Sequence, residues 1–323
     1  MNVLVAGGAG YIGSHTVKEL TREDYNVVTF DNFSTGKRDL ITGGKVFEGD
    51  LMDRHCLKQV FKKYKISAVL HFASLIQVKE SFENPQKYYK ANLISSMNLL
   101  EAMMEAGVNN FIFSSSAAVY GLPDKTPITE SHNLHPINPY GQTKFFVEKI
   151  LQDYSRAYGI NFISLRYFNA AGADPEGQTG EMHDPETHLI PNILLSLLGE
   201  KKKLEVYGTD FPTPDGTAIR DYVHVTDLAK AHVLALKKLL SSPESMFINL
   251  GSNNGFSVLE IIKKAEEVTG KKVPHTLKLR RKGDPPILLA SNKKAKELLG
   301  WELSCSDIET IISTAWSWHQ SLD

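Results

Sequence analysis

Tyr140 and Lys144 stand four residues apart in the run Tyr140–Gly141–Gln142–Thr143–Lys144. On a helix that spacing puts both side chains on one face. A free phenol has a pKa of ~10 and is a poor base at neutral pH. A neighbouring ammonium stabilises the phenolate, and a downward shift of ~3 pH units corresponds to roughly 4 kcal/mol. Tyr140 then becomes a group that takes a proton from a substrate hydroxyl and returns it. The spacing is common, and the alternative is a half-buried aromatic beside a surface lysine. Its setting is the run Ser114–Ser115–Ser116–Ala117–Ala118–Val119–Tyr120–Gly121, directly after a predicted strand. A serine hydroxyl there donates to a substrate oxygen and holds it near Tyr140. The alternative for Ser115 or Ser116 is a helix cap or turn former.

A second group of residues points to what this acid/base pair works with. The apolar run Asn2–Val3–Leu4–Val5–Ala6 leads into Gly7, Gly10 and Gly13, spaced by three, and an apolar helix pattern follows. Gly7 permits a turn too tight for a side chain, Gly10 lets backbone approach a pyrophosphate, and Gly13 lets the helix pack close to the strand. The N–H groups of the helix start then face the anion. Asp31 ends the next apolar strand about 20 residues on, where a carboxylate accepts ribose hydroxyls and repels a 2′-phosphate. A bound dinucleotide of the NAD type follows, and its positive nicotinamide adds to the charge that favours a Tyr140 phenolate.

The elements that must position these groups are those of a parallel sheet. Strands are predicted near 2–6, 26–30, 45–48, 67–72, 109–114 and 161–166, and helices near 11–22, 53–64, 85–106 and 139–158. That alternation means right-handed βαβ units with helices on both faces. Asn84–Pro85 and Asn138–Pro139 each read as an N-cap followed by a first-turn proline. After about residue 168 the pattern breaks at Asn169–Ala170–Ala171–Gly172–Ala173–Asp174–Pro175–Glu176–Gly177. A helix near 188–198 follows, then the Gly- and Pro-rich stretch Tyr207–Gly216, long enough to suggest function. Further helices are predicted near 226–240, 257–268, 292–298 and 306–319. The expected architecture is α/β, a Rossmann-type doubly wound parallel sheet over 1–168 and a smaller C-terminal α/β substrate lobe over 169–323. Part of 220–250 is a candidate to rejoin the main sheet.

Composition narrows the class. The chain has 323 residues, 42% of them apolar and 23% charged, at a formal net charge of -1, which gives no support for nucleic-acid or membrane-surface binding. The basic run Lys201–Lys202–Lys203 is short and follows Glu200. Cys56 and Cys305 lie far apart without metal-ligand spacing, so a reducing, cytoplasmic setting is expected and no disulfide framework. No stretch approaches a membrane span, and a strand starting at Asn2 is expected to leave no room for a signal peptide.

Three motifs together, Gly7–x–x–Gly10–x–x–Gly13, Ser114–Tyr120 and Tyr140–x–x–x–Lys144, resemble the extended short-chain dehydrogenase/reductases. Further matches extend this over nearly the whole chain: Tyr11–Ile12–Gly13–Ser14–His15, Leu165–Arg166–Tyr167–Phe168–Asn169 and Arg220–Asp221–Tyr222–Val223–His224–Val225. Within that family the set is similar to the nucleotide-sugar 4-epimerases. The related 4,6-dehydratases carry an acidic residue just after the Ser/Thr of this loop, where this chain has Ala117 and Ala118, which move no protons. The resemblance implies interconversion of UDP-glucose and UDP-galactose. Tyr140 removes the sugar 4-hydroxyl proton with Ser116 bridging and Lys144 holding phenolate and ribose. Hydride passes from C4 to NAD, the 4-keto sugar turns over, and hydride returns. UDP-N-acetylglucosamine or a UDP-pentose is the alternative substrate, and a non-catalytic NAD-binding protein the alternative of another class.

By the same resemblance, Ser116, Tyr140 and Lys144 are catalytic. Cofactor contacts fall on Gly7, Gly10, Tyr11, Ile12, Gly13, Asp31, Asn32, Asp50, Leu51, Phe72, Ala73 and Phe168, with Tyr140 and Lys144. Asp50 has the alternative of a helix cap. Asn169, Leu189, Tyr207, Arg220, Arg281 and Asp284 join Ser116 and Tyr140 in the sugar-nucleotide site. Two arginines suit a diphosphate. Their alternatives are an Arg220–Asp221 ion pair and a solvated basic loop of Arg280, Arg281 and Lys282. Three departures bear on this site. Ile76 replaces a lysine found in many of these epimerases, His188 an asparagine near the phosphates, and Leu288 stands where side-chain bulk gates N-acetylated sugars. His183, Asp184 and His188 lack a third ordered ligand, so no metal is expected. Surplus apolar residues on the helices near 85–106 and 139–158, such as Met104 and Phe146, are consistent with the family's homodimer and equally with ordinary core.

Overall fold

The computed structural model describes residues 1–200, 203–280 and 284–322. Seven parallel strands form the main sheet: β1 (Asn2–Ala6), β2 (Asn26–Asp31), β3 (Lys45–Glu48), β4 (Ala68–His71), β5 (Asn110–Ser116), β6 (Asn161–Tyr167) and, from far along the chain, β10 (Met246–Leu250). Their spatial order is β3-β2-β1-β4-β5-β6-β10. The order reverses between β1 and β4, and ligands bind at such a switch point, outside the carboxyl ends of the strands. Alternate residues of β1 serve two cores. Val3 and Val5 pack with α1 (Tyr11–Arg22) and α8 (Val225–Ser241). Leu4 and Ala6 pack with α2 (Arg54–Tyr64), α5 (Ser95–Glu105) and α6 (Pro139–Tyr158). Burial on both faces explains the near-continuous apolar runs in these strands.

Helix starts follow the sequence chemistry. Asn138 accepts from Gly141 N at 2.7 Å with Pro139 at the first position of α6. Asn84 likewise caps the short α4 (Pro85–Tyr88), which follows α3 (Val78–Glu83) and runs through one π-helical stretch, Tyr89–Ile94, into α5. The single helix expected over 85–106 is therefore segmented. The helices expected beyond 168 are found as α7 (Leu189–Leu198), α8, α9 (Val258–Thr269), α10 (Lys293–Leu299) and α11 (Ile308–Gln320).

Between them lie short strands without a clear sequence signal. β9 (Ile219–His224) pairs with β7 (Asn169–Ala171), β11 (Gly255–Ser257) and β13 (Ile287–Leu288), and β8 (Leu204–Tyr207) with β12 (His275–Lys278). A third core of α7, α9 and α11 residues packs with Tyr222 of β9. The stretch 225–250 returns to the main sheet. β10 pairs with β6, and α8 packs against α1.

Candidate active site

Gly7 follows β1 with φ +81°, and a Cβ there would lie 2.4 Å from Ala73 N. Phe72 N and Ala73 N donate to Ala6 O at 2.7 and 3.0 Å, which puts both residues against this turn. A Cβ on Gly13 would meet Gly7 O at 2.1 Å, so only glycine lets α1 start here. Gly10 differs. An added Cβ would meet only Gly7 O, at 3.4 Å, so this glycine faces open space. It is also the N-cap of α1 and has no side chain to cap the first-turn N–H groups. The backbone thus forms an open cradle lined by N–H donors, as a pyrophosphate requires.

Asp31 closes one end of this cradle. Its two oxygens accept from Ala9 N and Phe33 N, each at 2.9 Å. Burial pushes its pKa up, and these N–H groups oppose that. Each oxygen keeps a further lone pair, enough for ribose hydroxyls. Asn32 donates to Asp50 at 2.8 Å, and Asp50 also accepts from Met52 N at 2.7 Å. Asp53, not Asp50, caps α2, which removes the helix-cap alternative for Asp50. Leu51 is buried, and its carbonyl accepts from Asn98 at 3.1 Å. Tyr11 OH reaches across to Gly172 O at 2.5 Å, and Ile12 packs on the first core.

The serine run does not follow β5. It is the strand's last part, because β5 continues to Ser116 in register with Tyr167. The longer ladder fixes the three hydroxyls. Ser114 bonds Tyr167 OH, Ser115 donates to Glu148 at 2.7 Å, and Ser116 accepts from Ala118 N at 3.1 Å. A Cβ on Gly141 would lie 2.6 Å from Ala118 O, so this glycine lets α6 approach the end of β5. Tyr140 then meets the Ser116 hydroxyl. Lys144, one helical turn on, is buried and donates to Ser74 Oγ and Ser114 O, each at 2.8 Å. Its Nζ is 5.9 Å from the Tyr140 ring centroid.

The expected lowering of the Tyr140 pKa is not produced by these residues. Burial pushes it up, and the Ser116 hydrogen bond only partly opposes this. The reason lies with Lys144. Burial drags its own pKa down to about 7 against the pull of Glu148, and its ammonium is turned to Ser74 and Ser114. Ser74 and Glu148 escaped the sequence reading. Glu148 carried one usable signal, its spacing of four from Lys144.

On the other side of the cleft, Asn169 donates to Asp221 O at 2.7 Å. Arg220 donates to Ile219 O and Pro285 O, each at 2.9 Å. Burial lowers its pKa, while the charge of Asp284 supports the cation. Asp221 is not its ion-pair partner, since that carboxylate accepts from Ser252 N, Ser252 Oγ and Ala290 N at 2.7, 2.6 and 3.0 Å. Leu189 opens α7, Tyr207 ends β8 and bonds Glu205, and Leu288 lies in register with Arg220 and packs in a cluster with Phe168 and Val119. Ile76 is exposed. Arg281, Lys282, Lys201 and Lys202 lie outside the described residues.

His188 belongs to a cluster with Glu181, His183 and Glu186, whose candidate ligand atoms all lie within 4.8 Å of one another. Asp184 is not part of it. The histidines therefore have two further ordered donors, contrary to the premise drawn from the sequence. The spacing is nevertheless that of N–H···O bonds: His183 and His188 Nδ1 lie 2.8 Å from Glu181, and His188 Nδ1 lies 2.9 Å from Glu186. A nitrogen that donates such a bond has no lone pair for a metal. Burial opposes the His188 charge, but the two carboxylates hold its pKa well up.

Residues 3–251 match the NAD dependent epimerase/dehydratase family. The chain is 48% identical over 322 residues to a UDP-glucose 4-epimerase of Lacticaseibacillus casei, covering 99% of this chain and 97% of that one. A crystal structure of UDP-glucose 4-epimerase from Brucella ovis in complex with NAD superposes with a TM-score of 0.96 at 49% identity, covering 98% of this chain and 97% of that one. The UDP-Glc/GlcNAc 4-epimerase of Campylobacter jejuni superposes with a TM-score of 0.87 at 39% identity over 99% of both chains.

Proposed function

The chain belongs to the NAD dependent epimerase/dehydratase family, and we propose that it interconverts UDP-glucose and UDP-galactose by inversion at sugar C4. The observation that carries this reading is the single acid/base group at the end of β5. Tyr140 meets Ser116 there, and the next two residues, Ala117 and Ala118, offer no second proton carrier for eliminating water. NAD, when bound, takes up a hydride from the sugar, gives it back, and brings the positive charge of its nicotinamide.

Tyr11, Ile12 and Gly13 offer the N–H groups of the helix start to the pyrophosphate, and Gly7 and Gly10 leave room for it. Asp31 and Asn32 take the adenosine ribose, Asp50 and Leu51 the adenine side, and Phe72, Ala73 and Phe168 the inner wall. Tyr140 accepts the proton of the sugar 4-hydroxyl through Ser116 and returns it to the oxygen after the sugar has turned. Lys144 stabilises the phenolate. Asn169, Leu189, Tyr207, Arg220, Arg281 and Asp284 bind the sugar nucleotide, with Arg220 on the diphosphate.

Residues 1–168 with β10 form the cofactor domain in this reading, and 169–323 otherwise the sugar-nucleotide lobe. Exposed Val78, Phe82, Ile94 and Phe146 on neighbouring helices support a homodimer. Among the described residues no helix is long and apolar enough to cross a membrane, and Cys56 and Cys305 are free thiols, which supports a cytoplasmic setting.

The test is product analysis from UDP-galactose, UDP-N-acetylglucosamine and UDP-xylose in parallel, with Tyr140→Phe beside the parent protein. Turnover of UDP-galactose to UDP-glucose is expected to fall by about 10²–10⁴-fold in the variant, with NAD content unchanged. A folded, NAD-loaded variant with near-normal turnover would sink the assignment.

A further inference from the structure

Tyr140, Lys144 and Glu148 follow one another at intervals of four along the face of α6 that meets the sheet. Tyr140 and Lys144 have roles in the proposed reaction. Glu148 has none, yet it is buried and the most heavily bonded side chain of the helix. One oxygen accepts from Ser115 Oγ at 2.7 Å, Ser164 Oγ at 2.9 Å and Arg166 Nε at 2.9 Å. The other accepts from Arg166 Nη2 at 2.6 Å. Arg166 passes the contact on to Tyr120 OH at 2.9 Å, and Tyr120 donates to Asn249 of β10 at 2.7 Å. Three elements, β5, β6 and α6, are tied at one carboxylate, and β10 joins them through Arg166 and Tyr120.

A buried pair of this kind contributes little net stability, because desolvation offsets much of the attraction. Its placement suggests another use. Ser115 is the residue before Ser116, so the carboxylate fixes the strand end that Tyr140 must meet. The same carboxylate stands one helical turn beyond Lys144 on the same face of α6, and its charge supports the ammonium. The other groups around that ammonium are the Ser74 hydroxyl after β4, the Ser114 carbonyl of β5, the Phe113 ring at 5.1 Å, and the Tyr140 ring. His71 of β4 is buried and held neutral, its pKa pushed down to about 3 by burial and by Lys144 itself. Tyr167 of β6 is a neutral phenol bonded to Ser114. Glu148 is the one carboxylate that supports the Lys144 charge among these groups.

We propose that Glu148, clamped by Arg166, is a positioning residue for the epimerisation: it seats α6 against the end of β5 and keeps Lys144 charged beside Tyr140. This rests on the proposed function, since it gives Lys144⁺ its use. Without the carboxylate, Lys144 loses its proton at lower pH and Tyr140 gains its phenolate only at higher pH. The fraction of the protein that holds Lys144 protonated and Tyr140 ionised together then falls, and the maximum of the pH dependence falls with it.

The experiment compares the NAD-loaded parent protein with Glu148→Gln, which keeps the shape and removes the charge. The Lys144 titration is read from the ¹³Cε resonance of labelled lysine, assigned with Lys144→Met, and kcat and KM are measured against pH. The expected result is a Lys144 midpoint lower by about one to two pH units. A lowered maximum of the pH profile, with kcat at least tenfold down and KM little changed, should accompany it. Glu148→Asp, with its charge one methylene back, gives the same shifts at smaller size and carries the test if Glu148→Gln does not fold. A lowered Tm with an unmoved Lys144 midpoint and an unchanged pH profile overturns the inference and leaves a purely structural ion pair. A parent protein that loads NAD but turns over no UDP-sugar overturns the proposed function instead, and the resonance then decides the inference alone.

Discussion

Between Ala6 and Gly13 the backbone itself forms the site, and the space is made by leaving atoms out. Around Arg220 the opposite holds. There the backbone is held in place by buried side chains that act as hubs for distant segments. Asp221 accepts from Ser252 and Ala290, and Asp227 from Ser304, Cys305 and Ser306. Asn169 and Arg220 themselves donate to main-chain carbonyls at Asp221 and Pro285. One side of the cleft should be intolerant of an added methyl group, the other of a lost acceptor.

The largest effect is expected where an added atom strikes backbone. Gly13→Ala places a Cβ 2.1 Å from Gly7 O and 2.9 Å from Gly8 Cα, neither of which is free to move alone. We expect a loss of about 3 kcal/mol or more in folding stability and little bound NAD in the purified protein. Gly10→Ala is its counterpart, since the new Cβ meets only Gly7 O at 3.4 Å. Its Tm should stay within a few degrees of the parent while NAD affinity falls, by calorimetry of the cofactor-stripped protein. Equal Tm losses in the two variants would break the picture of a rigid turn beside an open cradle.

This contrast also explains what could be read from the sequence. The glycine cradle, Asp31 and the Tyr140–Lys144 helix are local patterns, so their elements fall within a residue or two of expectation. β7, β9, β11 and β13 are two to six residues long, and their partners lie about 30 to 70 residues away, so no periodicity marks them. Ser114, Ser115 and Ser116 misled in a small way. Polar residues at a strand end resemble a turn, and only their pairing with Leu165, Arg166 and Tyr167 shows the strand continuing. Ser74 is visible only after folding, because it meets Lys144 through space, and Glu148 carried no signal beyond its spacing of four from Lys144. That Lys144 does not by itself lower the Tyr140 pKa has a related reason. Spacing brings an ammonium near but does not reveal that burial weakens it.

The hub side is tested by Asp221→Asn. The amide keeps one acceptor and turns an NH₂ toward Ala290 N–H or Ser252 N–H, so two buried donors face each other. We expect a loss of about 2 kcal/mol in stability and a raised KM for the UDP-sugar, with NAD content unchanged. A variant that lost NAD but kept its KM would show that the two sides of the cleft are not independently held.

The smallest effect per residue is expected where the two sides meet. Tyr11 OH bonds Gly172 O, and a Cβ on Gly172 would lie 2.6 Å from His224 Nε2. His15 of α1 stacks edge-on against Tyr11, and the charge of His224, at the end of β9, lowers the proton affinity of His15. Burial is the main cause holding both down at about 4. In the unfolded chain a histidine protonates near 6.5. The folded state therefore binds fewer protons than the unfolded state between these values. The stability linked to neutral His15 and His224 is fully present above about pH 6.5 and declines as pH falls towards 4, by at most about 1.4 kcal/mol per pH unit for each histidine. Urea unfolding at pH 7.5, 6 and 5 measures the slope. His15→Gln removes one titrating group from the cofactor side, and His224→Asn removes one from the sugar side while keeping an acceptor for Thr226 N. Each should flatten the slope by a similar amount if the joint at Gly172 unfolds as a unit. A change in only one of them would mean that the sugar-nucleotide side opens in acid before the cofactor side does, or the reverse.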